Sequence, residues 1–398
     1  MSKVVDAGLG PGDPGYRAAS LALFLTALVT FALLYSTQPL LPSLAGTFRL
    51  GPTTVSLSVS LATAGLTIGL PLWSLLSDRY GRRPAILAAL WASSALAPAI
   101  ALAPNFALLA VWRFLQGLML AGVPATAMTY LGEEVRPQAL GGAMGLYIAG
   151  NSIGGMSGRL AVGFTAQAFD WRWALAGLGL LVLLLTVLTQ HLLPPSRHAA
   201  ERRLLPLGAL RDIWALAGNR AILPLALIGG LLMASFVGVY NYLGFLLVGP
   251  TYHLALGASS LVYLFYLLGS VSSFALGGLA DRRGRSPVLF WSVSLTLIAV
   301  LASLARPLVL RLAAVAIFTF GFFGSHAAAS TLVSERAGTR RGHASTLYLL
   351  CYYLGSSLGG TLLGLLWERH GWAGVALGAA TVLFAAWLLS LYSARQKD

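Results

Sequence analysis

The feature that most constrains this chain is a series of twelve apolar stretches, at residues 18–46, 54–76, 84–103, 105–131, 139–168, 172–193, 221–249, 258–279, 286–304, 307–333, 342–367 and 371–393. A bilayer core needs about 20 predominantly apolar residues per helix, and each stretch is near or above that length. In hydrocarbon the backbone amides must be satisfied within the spanning segment. The chain is therefore predicted to be an all-α membrane protein with 12 transmembrane helices. Composition agrees, at 57% hydrophobic and 10% charged with a mean hydropathy of +0.79. Ordinary soluble domains carry about 25% charged residues.

Most of the intervening loops are very short, which makes neighbouring helices antiparallel. The exception is Pro194–Arg220, which holds Arg197, His198, Glu201, Arg202, Arg203, Arg211 and Asp212. It divides the chain into six-helix bundles at 18–193 and 221–393, with a linker at 194–220 and cytoplasmic tails at 1–17 and 394–398. The Met1–Tyr16 segment lacks a signal-peptide pattern and is expected to be a disordered lead-in. The lone cysteine, Cys351, excludes a disulfide within the chain.

A formal charge of +14 raises the question of a nucleic-acid partner. The arginines, however, sit in short loops between spans, a distribution that belongs to membrane orientation and lipid headgroups. No nucleic acid is expected, and membrane lipid is. With the N-terminus inside, nineteen of the 26 basic residues fall on the cytoplasmic side and four outside. That imbalance predicts two cytoplasmic termini. Trp171, Trp173, Trp367 and Trp372 then fall near the outer interface.

A charged knot, Ser77-Asp78-Arg79-Tyr80-Gly81-Arg82-Arg83-Pro84, lies between two spans and returns half a chain later as Ala280-Asp281-Arg282-Arg283-Gly284-Arg285-Ser286-Pro287. It resembles the Gly-x-Leu-x-Asp-Arg-x-Gly-Arg loop between helices 2 and 3, and 8 and 9, of the major facilitator superfamily. The second copy matches from Gly277 and Leu279 to Arg285. The first has Ser74 in the glycine position, which is expected to loosen helix packing there. Gly150-Asn151-Ser152-Ile153-Gly154-Gly155 likewise returns as Gly355-Ser356-Ser357-Leu358-Gly359-Gly360. These anchors indicate two parallel six-helix repeats, the major facilitator fold. The resemblance implies secondary transport by alternating access, with the substrate between the repeats near the bilayer midplane. Small residues also serve as close-packing faces in membranes, so Gly150, Asn151, Gly154, Gly155, Gly359 and Gly360 are candidate helix-packing positions.

Tyr35-Ser36-Thr37-Gln38-Pro39, Met128 to Glu134 and Gly150 to Arg159 resemble the YnfM-like (acriflavine-susceptibility) bacterial exporters. The last stretch is also similar to the antiporter motif Gly-Pro-x-x-Gly-Gly. Asn151 replaces its helix-bending proline, which leaves the direction of transport open.

All 12 carboxylates fall in tails, loops or helix ends, whereas the span interiors carry Arg113, Arg159, Arg311 and His326. An intramembrane arginine costs about 2.5–3.5 kcal/mol on the insertion scale, so each needs a reason. Arg113 opens Arg-x-x-Gln-Gly, which resembles a helix-4 motif whose arginine is associated with proton coupling; Gln116 shares its helix face. Arg311 lies one turn inside and is expected to snorkel to the outer headgroups. His326 admits two roles: a hydrogen-bonded core residue, or a proton or substrate group, since imidazole titrates near neutrality. Arg113, Arg159 and His326 are the candidate coupling residues.

The resemblance places helices 1, 4, 7 and 10 around the cavity, which makes Gln38, Arg113, Gln116, Tyr240, Asn241 and His326 the candidate substrate site. It also implies a cytoplasmic latch of Asp78, Arg82, Arg83 and Glu134 in one half, and Asp281, Arg285 and Glu335 in the other. The plainer reading of those charges is solvated positive-inside topology. The expected function is proton-linked efflux of a small organic solute, drug or metabolite, across the bacterial cytoplasmic (inner) membrane. The proton gradient supplies the energy, no cofactor or metal is used, and the chain acts as a monomer. A sugar or metabolite exporter, or a facilitator without proton coupling, is the alternative. A polytopic membrane enzyme would need a catalytic base or metal ligands grouped at an interface; the six scattered histidines and Cys351 provide neither.

Overall fold

A computed structural model describes residues 8–196 and 215–396. The connector charges Arg197, His198, Glu201, Arg202, Arg203, Arg211 and Asp212 lie outside the described residues, as do 1–7 and 397–398 of the tails.

The chain opens with α1 (Pro14–Leu34) and, after a break, α2 (Leu41–Phe48). The predicted span at 18–46 is thus not one helix. Pro39 lacks the amide a continuing helix needs and disfavours helical geometry at Gln38, while Pro42 sits in the first turn of α2, where no amide is required. Next come α3 (Pro52–Tyr80), α4 (Arg82–Ala101), α5 (Phe106–Leu120), α6 (Gly122–Glu134), α7 (Pro137–Ala168) and α8 (Trp171–Leu192). Asn105 caps α5 by accepting the Leu108 amide at 2.9 Å, and Asp170 caps α8 through the Arg172 amide at 2.7 Å. Each satisfies an orphan donor of the first turn.

Beyond the connector lie α9 (Leu223–Val248), the short α10 (Leu256–Ser260) with a 3₁₀ turn at Leu261–Phe265, and α11 (Tyr266–Arg283). They are followed by α12 (Arg285–Ala302), α13 (Leu308–Arg336) and α14 (Arg341–Arg395). Among the described residues, ten helical stretches are long and apolar enough to cross a membrane. The 32-residue α7 adds an eleventh by length, its hydropathy diluted by glycine. The 55-residue α14 counts twice, because at Gly371 (φ 58°, ψ −143°) the chain turns back on itself. Only glycine adopts such geometry cheaply. The twelve spans are accounted for.

Contacts group these elements into two compact units. One runs to Ser36 and resumes at Gly65 up to the connector; the other holds Thr37–Ala64 and the chain beyond it. In the first, α7 presents Gly150, Gly154 and Gly158 to Phe24, Leu28 and Ala32 of α1. A Cβ on Gly154 would lie 2.5 Å from the Leu28 Cα, and one on Gly158 would lie 2.7 Å from the Ala32 Cα. In the second, Gly355 and Gly359 of α14 face Gly230 and Ala234 of α9 in the same way. Without a hydrophobic drive between helices in lipid, such close backbone approach supplies the packing energy.

Three sequence expectations are corrected here. The described part of the lead-in is ordered against the turn after α6: the Leu9 amide donates to the Glu134 carbonyl at 2.8 Å, and the Arg136 amide donates to the Leu9 carbonyl at 3.0 Å. Its backbone groups find partners there that water would otherwise supply. Arg311 does not snorkel. It is 5% exposed, its Nε donates to the Ser303 carbonyl at 2.8 Å, and its guanidinium lies 5.5 Å from the Tyr252 ring. The end of α12 offers the Ser303 carbonyl within its reach. Finally, a Cβ on Gly277 would meet nothing within 4 Å, so this motif position carries no packing that the matching Ser74 forfeits.

Candidate functional site

The six candidate substrate residues fall into separate constellations, which are best built unit by unit. In the first unit, Arg113 on α5 is fully buried. Its NH1 donates to the Leu33 carbonyl at 2.8 Å and to Gln116 Oε1, and its NH2 donates to the Leu34 carbonyl. A longer contact of 3.5 Å reaches Ser36 Oγ. These are the carbonyls at which α1 ends, and Leu34 has no helical donor four residues on. A cation at a helix C-terminus completes both the hydrogen bonding and the dipole. Gln116 is turned the other way by its Nε2, which donates to the Ser93 carbonyl at 3.1 Å. Arg159 on α7 donates to the Gly155 carbonyl, and its guanidinium lies 4.3 Å from the Tyr35 ring centroid. Both interior arginines thus attend one short segment, residues 33–36, where the first span unwinds.

In the second unit, Gln38 Nε2 donates to Asn241 Oδ1 at 2.8 Å, and both side chains are buried. Asn241 Nδ2 has no hydrogen-bond partner among the described residues. Nearby, the Tyr242 hydroxyl donates to the Gly360 carbonyl at 2.8 Å and the Thr361 hydroxyl donates to Ser60 Oγ at 2.9 Å. Gly360 is required small here, since a Cβ would come within 2.9 Å of both Asn241 Nδ2 and Ser60 Oγ. Tyr240 shares a hydrogen bond of 2.7 Å with Thr319 on α13. His326, two turns further along α13, meets the Tyr348 hydroxyl through Nδ1 at 2.7 Å, with Tyr352 stacked obliquely at 4.7 Å. Phe236 stacks on Phe322 at 3.8 Å, so an apolar aromatic floor separates the Tyr240 and His326 groups. Sequence reasoning passed over Thr319 and Tyr348. The seven-residue spacing of Thr319 and His326, which puts them on one helix face, was the available signal for the former.

The charged knots form two clusters of the same design. Arg82 donates to Asp78, to Ser77 Oγ at 2.8 Å, and through Nε and NH2 to Glu133 Oε1 at 3.2 and 3.1 Å. Glu133 rather than Glu134 is therefore the α6 partner; Glu134 is buried and uses its carbonyl to accept from Leu9. Arg83 donates to the carbonyls of Leu193 at 2.8 Å and Gln190 at 3.1 Å, tying α4 to the end of α8. In the second unit Arg285 donates to Asp281 at 3.3 Å and pairs with Glu335. Each knot turns on a glycine in the left-handed region, Gly81 at φ 97° and Gly284 at φ 86°, which lets the arginine return to the aspartate before it. The first cluster is the drier, with side chains 14–25% exposed against 27–69% in the second. Its pairs are accordingly less screened. Asn151 of α7 leaves its Oδ1 without a partner among the described residues, and Gly155 lies against the Arg159 guanidinium.

A sequence profile of the Major Facilitator Superfamily matches residues 23–360 and again 257–398. The inner membrane transport protein YnfM of Escherichia coli (strain K12) is 41% identical over 378 residues, covering 95% of this chain and 91% of that protein. The uncharacterized MFS-type transporter YybF of Bacillus subtilis (strain 168) is 39% identical over 385 residues, covering 96% and 95%. Among solved structures, the nucleoside transporter NupG superposes with a TM-score of 0.78 at 15% identity, over 95% of this chain and all of that one. The E. coli xylose transporter XylE, in a partially occluded inward open conformation, gives 0.74 at 14% identity, over 97% and 98%. The repeated knot, the twelve spans, the profile and the relatives agree: this chain belongs to the major facilitator superfamily, and is a multi-pass membrane transporter rather than an enzyme.

Proposed function

We propose that this transporter exports a small organic solute without net positive charge from the bacterial cytoplasm, driven by the proton gradient. The observation that carries the reading is the charge of the interior. Among the described residues no carboxylate lies within a span interior, while Arg113, Arg159 and His326 do. A cation would find only repulsion there; an anion, zwitterion or neutral solute would not. The YnfM relative is named as an inner membrane protein, and another solved structure of the same fold is named as a D-xylose-proton symporter. Both are consistent with this location and energy source. The six-helix bundles at 18–193 and 221–393 would rock about the 194–220 connector, with both termini cytoplasmic and the monomer as the working unit.

In this reading Gln38, Tyr240 and Asn241 supply polar contacts to the solute, and Arg113, oriented by Gln116, holds the unwound 33–36 segment. His326 carries the proton, its Nδ1 engaged by Tyr348 and its other ring nitrogen left to exchange it. The Arg82 and Arg285 clusters latch the cytoplasmic helix ends. The test is transport in proteoliposomes with an imposed pH gradient, read beside substrate binding at two pH values. The His326→Gln variant is expected to bind solute and lose pH-driven accumulation. Full pH-driven activity in that variant removes the imidazole as carrier, and equilibration without accumulation in the wild type makes the protein a facilitator.

A further inference from the structure

A cavity of about 1200 Å³ opens at the ends of α9, α12, α13 and α14, within the second unit. Among the described residues four arginines line it, Arg220, Arg285, Arg336 and Arg341, against a single carboxylate, Glu335. Arg285 already holds Asp281 and Glu335, and Arg336 donates to Ser393 Oγ at 2.7 Å and to the Ser393 carbonyl at 3.0 Å. Arg341 gives only its Nε, to the Gly338 carbonyl at 3.1 Å. Arg220 and Arg341 are exposed and have no carboxylate partner among the described residues. The latch accounts for Arg285 and Glu335 alone, so the basin holds more positive charge than that role uses.

A second, smaller crevice of about 180 Å³ adjoins the basin, sharing Arg285 and Thr331 with it. It runs between α11 and α13; Leu276, Gly277, Gly324, Ala327 and Ala328 form its apolar wall, and Ser273, Thr331 and the Asp281–Arg285 pair stand at its polar side. On the same helix α11, Val271 is 58% and Phe274 is 87% exposed. A polar, cationic basin thus continues into a narrow crevice with one apolar wall.

We propose that this pair of cavities is a binding site for an anionic phospholipid, with the headgroup phosphate among the arginines and the start of an acyl chain in the α11–α13 crevice. Guanidinium forks match phosphate oxygens in bidentate geometry, and basic pockets among transmembrane helices take anionic headgroups. A soluble phosphate would fill the basin and leave the slot without a role. The site is independent of the transported solute and of proton coupling.

The experiment uses the purified full-length chain in mixed micelles, with phosphatidylglycerol, phosphatidylcholine and inorganic phosphate as probes and lipid retention read by native mass spectrometry. Phosphatidylglycerol is expected to be retained ahead of phosphatidylcholine. Replacing Arg220→Gln and Arg341→Gln together should weaken it about thirtyfold, roughly fivefold per arginine, without changing phosphatidylcholine. Leu276→Trp, which fills the crevice, should weaken phosphatidylglycerol and leave inorganic phosphate binding alone. Melting curves of each variant report folding, and the pair Arg220→Lys and Arg341→Lys, which keeps the charge without the fork, should hold the lipid at a level between wild type and the glutamine pair. Equal retention of the two lipids overturns the proposal. So does unchanged phosphatidylglycerol retention in Leu276→Trp, or loss in the lysine pair equal to that in the glutamine pair.

Discussion

Replacing Arg113 by methionine keeps a long flexible side chain and removes the guanidinium. In the wild type that group is the hydrogen-bond donor to the Leu34 carbonyl and a second donor, at 2.8 Å, to the Leu33 carbonyl, which also accepts from the Ser36 amide at 3.2 Å. A buried carbonyl left without a donor costs about 1–3 kcal/mol, and a hydrogen bond to a charged group contributes about 1.5–3 kcal/mol. Against this stands the desolvation of the arginine itself, several kcal/mol that the variant no longer incurs. The balance is a destabilisation of about 2 kcal/mol, or a fall of about 2–3 °C in the thermal midpoint of a chain this long. Arg113→Lys keeps the charge but offers one compact donor in place of a fork, and should fall between the two. Transport by Arg113→Met is expected to be lost in both export and exchange modes, because the end of α1 is no longer held at Leu34. The assay is a melting curve of the purified protein, run beside proteoliposome transport. An anion-binding arginine predicts a different pattern: a midpoint within about one degree of wild type, lost solute affinity, and recovery by lysine. That result would refute the positioning argument.

The latch makes a second test, since Asp78→Asn removes one carboxylate from Arg82 while Glu133 remains. The pairs are only partly dehydrated, so about 1 kcal/mol is expected, seen as a shift toward inward-open distances between spin labels on the cytoplasmic helix ends; unchanged distributions leave topology as the sole role of these charges. Gly359→Val places a Cβ against the Ala234 backbone and should abolish monodisperse protein, whereas Gly277→Ala, with open space around it, should melt like wild type. Reporter fusions at Leu205 and at the C-terminus should be active only with a cytoplasmic reporter, and periplasmic alkaline phosphatase activity at either point contradicts the orientation.

What this protein is could be read largely from its sequence, because the determining information is local. Apolar length against bilayer thickness marks the twelve spans, and the duplicated Asp-Arg-x-Gly-Arg knots mark the repeat. The glycine at each knot follows from the backbone angle that the turn demands. The glycine stripe of α7 and its echo at Gly355 and Gly359 in α14 were visible as spacing, since a four-residue period identifies a helix face whatever lies opposite. What lies opposite was not visible. The carbonyls that Arg113 serves are 79 and 80 residues away, left without helical donors because α1 stops before Pro39. Hydropathy had drawn that stretch as one unbroken span. Glu133 and Glu134 are neighbours in sequence but point about 100° apart around a helix, and only the placement of α6 beside Arg82 chose between them. Arg311 turned inward for the same reason, because the end of α12 brought carbonyls within its reach. Side-chain partnership depends on which helix lies alongside at which rotation, and that is a property of the packed bundle.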